Sequence, residues 1–272
     1  MKAMILAAGQ GTRLAPLTDS LPKSMIPIGG MPVLEHTLIR LRGHGVGEVI
    51  INLYHQPDVI PAYFGDGSRW GVRITYSLED ELLGTAGGVK HAAWFFDSPF
   101  LVLYGDNLST CDLSRLARHH RDRGAVATMA LYQRDDPCSS GIAEMDSEDR
   151  IVRFVEKPRP EEVFSHWVNA GIYVLNREIL DLIPTGQPCD FGREVFPLLL
   201  SEGRALYGYR MQGDEELWWI DTPADLARVQ REYEYDQKSV PVGRSGCLIQ
   251  VRAIHTNATE PLGCDRVQEA ER

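Results

Sequence analysis

Gly9-Gln10-Gly11 is followed directly by Thr12, Arg13 and Leu14, and Lys23 stands ten residues after Arg13. Glycines this close let the chain turn sharply and present successive backbone N–H groups to a ligand. Arg13 adds a guanidinium fork and Lys23 an ammonium point charge, the donors that the anionic oxygens of a nucleoside triphosphate require. Ala8, Gly9, Gln10, Gly11, Thr12 and Arg13 therefore read as a phosphate-handling loop, with Arg13 and Lys23 as its catalytic cations. Two better-known glycine signatures do not fit. A dinucleotide fingerprint needs glycine or alanine where Leu14 stands, and a Walker-type loop needs a closing Gly-Lys-Ser/Thr that is absent. A lone Gly-x-Gly turn is as often a tight surface turn. Asp106, after the apolar run Phe100–Tyr104, is on residue type alone a helix cap or turn former as often as a ligand. At the ligand edge of a sheet, however, one carboxylate oxygen could hold Mg²⁺ while triphosphate oxygens and waters complete an octahedron.

Alternating short apolar runs and amphipathic stretches must position these groups. Lys2–Ala7 reads as a first strand, and Met31-Pro32-Val33-Leu34 as the opening of a helix with Pro32 in its first turn and Leu34, Leu38 and Leu41 on one stripe. Residues 48–53 are expected to be a strand, 57–64 helical, 72–77 extended, 85–95 helical, 100–104 a buried strand, and 224–233 a helix. This alternation predicts an α/β fold, a Rossmann-like three-layer α/β/α arrangement around a mostly parallel mixed sheet. In open sheets of this kind ligands sit at the carboxyl ends of strands, where the Gly9 loop and Asp106 both fall.

The chain resembles the sugar-1-phosphate nucleotidylyltransferases, the makers of nucleoside-diphosphate sugars. The resemblance lies in Ile5-Leu6-Ala7-Ala8-Gly9-Gln10-Gly11-Thr12-Arg13-Leu14-Ala15-Pro16-Leu17-Thr18 and Pro22-Lys23-Ser24-Met25-Ile26-Pro27, then Leu83-Gly84-Thr85-Ala86-Gly87-Gly88, Tyr104-Gly105-Asp106-Asn107, Val155-Glu156-Lys157-Pro158 and Val168-Asn169-Ala170-Gly171-Ile172-Tyr173, in the family's order. It covers about residues 1–235 and implies a catalytic domain there. The remaining 236–272 shows no sustained six-residue repeat and is expected to be an irregular tail, with an oligomer contact as its open role.

Implied by the resemblance is transfer of a nucleotidyl group from a nucleoside triphosphate to a sugar 1-phosphate, with release of pyrophosphate. The base would rest near Gly84 and Thr85, with Glu79 accepting from a base N–H group or serving only as one more charge in Glu79-Asp80-Glu81. The sugar phosphate would meet Gly141, Glu156, Lys157 and Asn169. Magnesium would be held by Asp106 and a second carboxylate, Asp221 in Trp218-Trp219-Ile220-Asp221-Thr222-Pro223. Many family members carry Trp-x-Asp-Ile-Gly-Thr-Pro here, and alignment on Thr222-Pro223 would put Trp219 at the metal position. Tryptophan cannot bind magnesium, so Asp221 is the assignment, and an N-cap role is compatible with it. Ser140 stands where a tyrosine is frequent. The look of the motifs is nearest to mannose-1-phosphate guanylyltransferase-like members, giving GTP and mannose 1-phosphate as first expectation. Glucose 1-phosphate or another sugar 1-phosphate with CTP, dTTP or UTP is the alternative, and a non-catalytic sugar-nucleotide-binding regulatory subunit the alternative of another class.

Composition narrows the remaining classes. With 272 residues, 43% of them hydrophobic, the chain can bury one large core. A net charge of −10 argues against a nucleic-acid partner, which clustered Lys and Arg would meet. No membrane span or charged leader is expected, and five scattered cysteines without paired spacing read as reduced thiols. The expected location is cytoplasmic.

Overall fold

The computed structural model describes residues 1–97 and 99–239. Residues 1–234 form one compact unit around a nine-stranded sheet. Its strands, in chain order with the two small accessory pairs, are β1 Ala3–Leu6, β2 Pro27–Ile28, β3 Met31–Pro32, β4 Glu48–Leu53, β5 Arg73–Leu78, β6 Phe100–Tyr104, β7 Asn107–Ser109, β8 Ala127–Gln133, β9 Ile142–Met145, β10 Ile151–Val155, β11 Trp167–Leu175, β12 Leu206–Arg210 and β13 Leu217–Trp219. The helices are α1 Val33–Gly43, α2 Val59–Phe64, α3 Gly84–His91, α4 Leu113–Asp122, α5 Phe196–Ser201 and α6 Pro223–Ser239.

The strand order is β10-β9-β11-β6-β1-β4-β5, with β8 on the other edge of β11 and β12 beside β8. Strands β5, β4, β1 and β6 run parallel, and β11 turns antiparallel against β6. The expected mixed α/β sheet is therefore present, and the parallel run is the part that carries the glycine loop and Asp106.

Alternation along the strands makes the three layers. Ala3 and Ile5 of β1, Val49 and Ile51 of β4, and Leu101 and Leu103 of β6 pack with Leu34, Leu38 and Leu41 of α1, Ile60 of α2 and Leu116 of α4. On the opposite face Met4, Ile50 and Val102 pack with Ala86 and Val89 of α3 and Phe196 and Leu199 of α5. Each fully buried Leu, Ile or Phe contributes about 1.5–3 kcal/mol, so both helical layers are held by the period-2 pattern of the same strands. A third cluster joins Leu14, Ile26 and Ile28 to Val33, Leu108, Ile220 and Val229, and clamps the loop after β1 against α6.

Several boundaries differ from the sequence expectations. Met31-Pro32 pairs with Pro27-Ile28 as a two-residue ribbon, so α1 begins at Val33 and Pro32 is its N-cap rather than a first-turn residue. The helix expected over 85–95 ends at His91 and resumes as a 3-10 turn at Ala93–Phe95. The last helix continues to Ser239, four residues into the expected irregular tail. The rest of the expectation for 236–272 lies outside the described residues.

Candidate active site

A cavity of about 340 Å³ opens at the carboxyl ends of β1 and β6, within the size range of small-molecule sites. Of the residues singled out in the sequence, it brings together Ala8, Gly9, Gly11, Thr12, Arg13, Lys23, Gly84, Thr85, Asp106 and Asp221 in its wall. Gln10 is absent from it, and so are Glu79, Gly141, Glu156, Lys157 and Asn169. Asn52, Tyr104 and Asp190 stand in the wall without having been singled out beforehand.

The glycine loop is shaped by a left-handed residue. Gly11 has φ +62°, and a Cβ there would stand 3.0 Å from Thr18 Cγ2 and 3.1 Å from Lys23 Cβ. Glycine thus satisfies both the backbone and the close approach of Lys23. Thr18 Oγ1 donates to the Gly11 carbonyl at 2.9 Å, and the His55 ring meets the Thr18 carbonyl at 2.8 Å. These contacts tie the loop to the segment after β4, and Met25 anchors the 3-10 turn Lys23–Met25 in the first apolar cluster while Ile26 enters the third.

Charge converges at Lys23. Its ammonium donates to Asp106 Oδ2 at 2.6 Å and to Asp221 Oδ1 at 2.7 Å, while Arg13 Nη2 stands 3.0 Å from the same Asp221 oxygen. Burial works to lower the Lys23 pKa, but Asp106 and Asp221 outweigh it and hold the group above its ordinary 10.5. For Asp221 burial pushes upward, and Lys23, then Arg13 and Arg134, bring the carboxyl below its ordinary 3.8. Residues 13, 23, 106 and 221 thus form one neutralised cluster, with both carboxylates on Lys23. Trp219 lies in β13, paired with Asn107 of β7. Among the described residues no group of three or more His, Cys, Asp or Glu is arranged to hold a metal ion.

Glu79 is bonded inside the fold, behind the cavity wall. It is 3% exposed, with Oε1 accepting from Asn52 Nδ2 at 2.7 Å and Oε2 from the Leu83 N–H at 3.0 Å. Asn52 Oδ1 in turn accepts from the Ala7 N–H at 2.7 Å. Glu79 is therefore a brace between the end of β1 and the start of α3, and a base would meet the wall it supports.

The residues expected on the sugar side form a separate group. Glu156 is wedged so closely that a Cβ on Gly141 or Gly192 would stand 2.6 or 2.4 Å from its Oε2. Burial, and then the neighbouring Asp190, raise its pKa. Asp190 accepts from Thr85 Oγ1 at 2.7 Å and from the Gly192 and Arg193 N–H groups. Thr85 and Asp190 link Glu156 to the cavity wall. Asn169 spends its side chain inside the β11 bulge, donating to Tyr173 Oη at 2.7 Å and accepting from the Gly171 N–H at 2.8 Å, so it supports the sheet there. Lys157 is exposed in a left-handed conformation with φ +49°, its N–H bonded to the Ser140 carbonyl at 3.2 Å. Asp190, 105 residues from Thr85, carried no local signal beyond a possible N-cap of Phe191–Val195.

The family model for nucleotidyl transferases matches residues 2–235. A UTP–glucose-1-phosphate uridylyltransferase from Synechocystis sp. is 41% identical over 235 residues, 81% of this chain and 60% of that one. A mannose-1-phosphate guanylyltransferase from Mycobacterium tuberculosis is also 41% identical, over 83% of this chain and 62% of that one. The chain thus spans about three fifths of the length of these curated relatives. Among solved structures, a putative glucose-1-phosphate thymidylyltransferase from Bacillus anthracis superimposes with a TM-score of 0.78 at 24% identity, covering 90% of this chain and 98% of that one. That likeness shows the fold.

Proposed function

This chain belongs to the nucleotidyl transferase family, and on that premise we propose that it transfers a nucleotidyl group from a nucleoside triphosphate to a sugar 1-phosphate. The observation that carries the reading is Lys23 held between Asp106 and Asp221, with Arg13 on Asp221, beside the backbone of the glycine loop. Triphosphate oxygens need this combination of N–H groups, guanidinium and ammonium. A regulatory subunit without activity would have no chemical need for the two carboxylates beside these cations.

The reaction is an in-line displacement. The phosphate oxygen of the sugar 1-phosphate attacks the α-phosphorus, the bond to the β-phosphate oxygen breaks, and pyrophosphate departs. The nucleophile is already anionic, so neither a general base nor a covalent enzyme intermediate is required, and catalysis is positioning plus charge stabilisation. Arg13 and the N–H groups of residues 9–12 are assigned to the departing pyrophosphate, and Lys23 to the reacting phosphates. Lys157 is assigned to the sugar phosphate and Glu156 to sugar hydroxyls. Both lie off the cavity wall here, so their contacts require the substrate to extend past Thr85 and Asp190.

Magnesium fits the donor set. Asp106 and Asp221 are hard oxygen donors that already converge on one cation, and this ion takes one or two protein carboxylates when substrate phosphates complete its shell. Bound there, it would supply charge neutralisation at the triphosphate.

GTP with mannose 1-phosphate is the first substrate pair proposed, supported by the motif pattern and the mycobacterial relative. UTP with glucose 1-phosphate has equal support from the Synechocystis relative. Scattered thiols, including free Cys111, Cys138 and Cys189, support a cytoplasmic setting, and no helix among the described residues is long and apolar enough to cross a membrane. The test is pyrophosphate release with Mg²⁺ over a grid of nucleoside triphosphates and sugar 1-phosphates, with Asp106→Asn as control. Activity with one pair that disappears in the control supports the transferase; binding of nucleotide with no release by any pair supports the regulatory alternative.

A further inference from the structure

Trp219 carries two guanidinium groups, with Arg134 Cζ at 3.8 Å from the ring centroid and Arg228 Cζ at 4.8 Å. Their charges are not equally spoken for. Arg228 pairs with Glu232 at 3.2 Å and lies 3.8 Å from Asp225. Arg134, half-buried just after β8, has no ion-pair partner within 4.0 Å among the described residues; its guanidinium reaches Ser140 Oγ from Nη1 at 3.5 Å and also meets the Tyr132 hydroxyl. Its backbone is fixed on both sides, the N–H donating to the His166 carbonyl at 3.1 Å and the carbonyl meeting His166 Nδ1 at 3.0 Å. Stacking on an indole orients the guanidinium plane while leaving its N–H edges free to bind.

The position of that edge is informative. Arg134 touches Ser140, whose carbonyl accepts from the Lys157 N–H and whose successor is Gly141. On its other side lies Trp219, two residues before Asp221 in the chain. Arg134 therefore stands between the strand that leads into Asp221 and the Ser140-to-Lys157 edge. A substrate whose phosphate must reach the reaction centre while its sugar lies toward Gly141 crosses this gap.

We propose that Arg134, held flat on Trp219, binds the phosphate of the sugar 1-phosphate and guides it toward the Asp106–Asp221 centre. This rests on the transferase reading above and extends it to a residue outside the motifs. A guanidinium–phosphate contact is a charge-assisted hydrogen bond, so its loss should weaken binding about tenfold or more. Arg134→Lys keeps the charge but lacks the planar fork, and should fall between the wild type and Arg134→Gln.

The experiment uses the full chain and two readouts. Calorimetry with mannose 1-phosphate and glucose 1-phosphate, and separately with nucleoside triphosphate, is run beside steady-state kinetics for wild type, Arg134→Gln and Arg134→Lys, with melting temperature as the folding control. Expected is weaker sugar-phosphate binding and a higher KM for it in Arg134→Gln, with nucleotide binding and melting temperature unchanged. Sugar-phosphate binding within about twofold of wild type would overturn the proposal. So would a fall in kcat or a changed Mg²⁺ dependence without a KM effect, because Arg134 would then act only through Asp221. If the wild type binds sugar phosphate in an Arg134-dependent way yet transfers no nucleotide with any pair, the transferase reading fails and the Arg134 assignment stands. If the wild type turns over and Arg134→Gln matches it, the assignment fails alone; if the wild type neither binds sugar phosphate nor turns over, both fall.

Discussion

Replacing Lys23 by methionine should leave two carboxylates facing each other across an apolar side chain of similar length. Lys23 is 10% exposed and Asp106 and Asp221 are 32% and 26% exposed in their side chains. Each charge-assisted hydrogen bond contributes about 1.5–3 kcal/mol, so the two lost bonds come to about 3–6 kcal/mol before relaxation. Solvent at the half-exposed carboxylates recovers part of this, and Arg13 remains 3.0 Å from Asp221. The expected net loss is about 2–4 kcal/mol, a fall in Tm of roughly 5–15 °C for a chain of this size. Urea unfolding at neutral pH without Mg²⁺ measures it. Asp221, with its pKa lowered in the fold, contributes stability above its unfolded value and loses it as pH falls through the folded one. Lys23, with its pKa raised, contributes below 10.5 and loses it as pH rises through the folded value. The difference between wild type and Lys23→Met should therefore be flat across the neutral range and shrink at both extremes. Adding Asp106→Asn to Lys23→Met should restore stability by removing one of the facing charges. A loss under about 0.5 kcal/mol, or a double variant less stable than the single one, would refute the reasoning.

Turnover of Lys23→Met should fall about 10²–10³-fold with little change in KM for the sugar 1-phosphate, measured by pyrophosphate release. Asn52→Ala removes the acceptor of the Ala7 N–H and the donor to buried Glu79, and should cost about 2–4 kcal/mol in urea unfolding. Gly84→Ala must adopt φ +73° and places its Cβ 2.6 Å from the Cys189 carbonyl oxygen; backbone cannot yield as a side-chain tip can, so about 2 kcal/mol or more should be lost, with a raised KM for nucleotide because Thr85 shifts. Glu156→Gln should stabilise the fold at neutral pH, since burial and Asp190 raise the Glu156 pKa. A raised carboxyl contributes most below its unfolded value of 4.5 and loses that as pH rises through the folded one, so the variant's advantage should vanish in acid; an advantage that persists at pH 4 would contradict the assignment.

Local sequence carried the glycine-loop end of the cavity. A short apolar run, two glycines, Arg13 and Lys23 lie within one strand-and-loop unit, and Asp106 follows the partner strand β6, so spacing alone predicted groups that converge at one sheet edge. Short continuous apolar runs likewise implied the layers, because successive side chains point to opposite faces and leave each central strand two apolar faces to cover. Asp221 was chosen on chemistry rather than alignment, and the fold brings its carboxylate to Lys23 and Arg13. Glu79 and Asn169 were read as ligand contacts from residue type, which states what a side chain can bond, while tertiary structure decides which partners it meets. Asn52 and Leu83 consume Glu79, and Tyr173 and Gly171 consume Asn169. Thr85 with Asp190, and Arg134 with Trp219, are pairs 105 and 85 residues apart in sequence. No local pattern encodes such a meeting, since it depends on strand order and on which loops the sheet brings to the same edge.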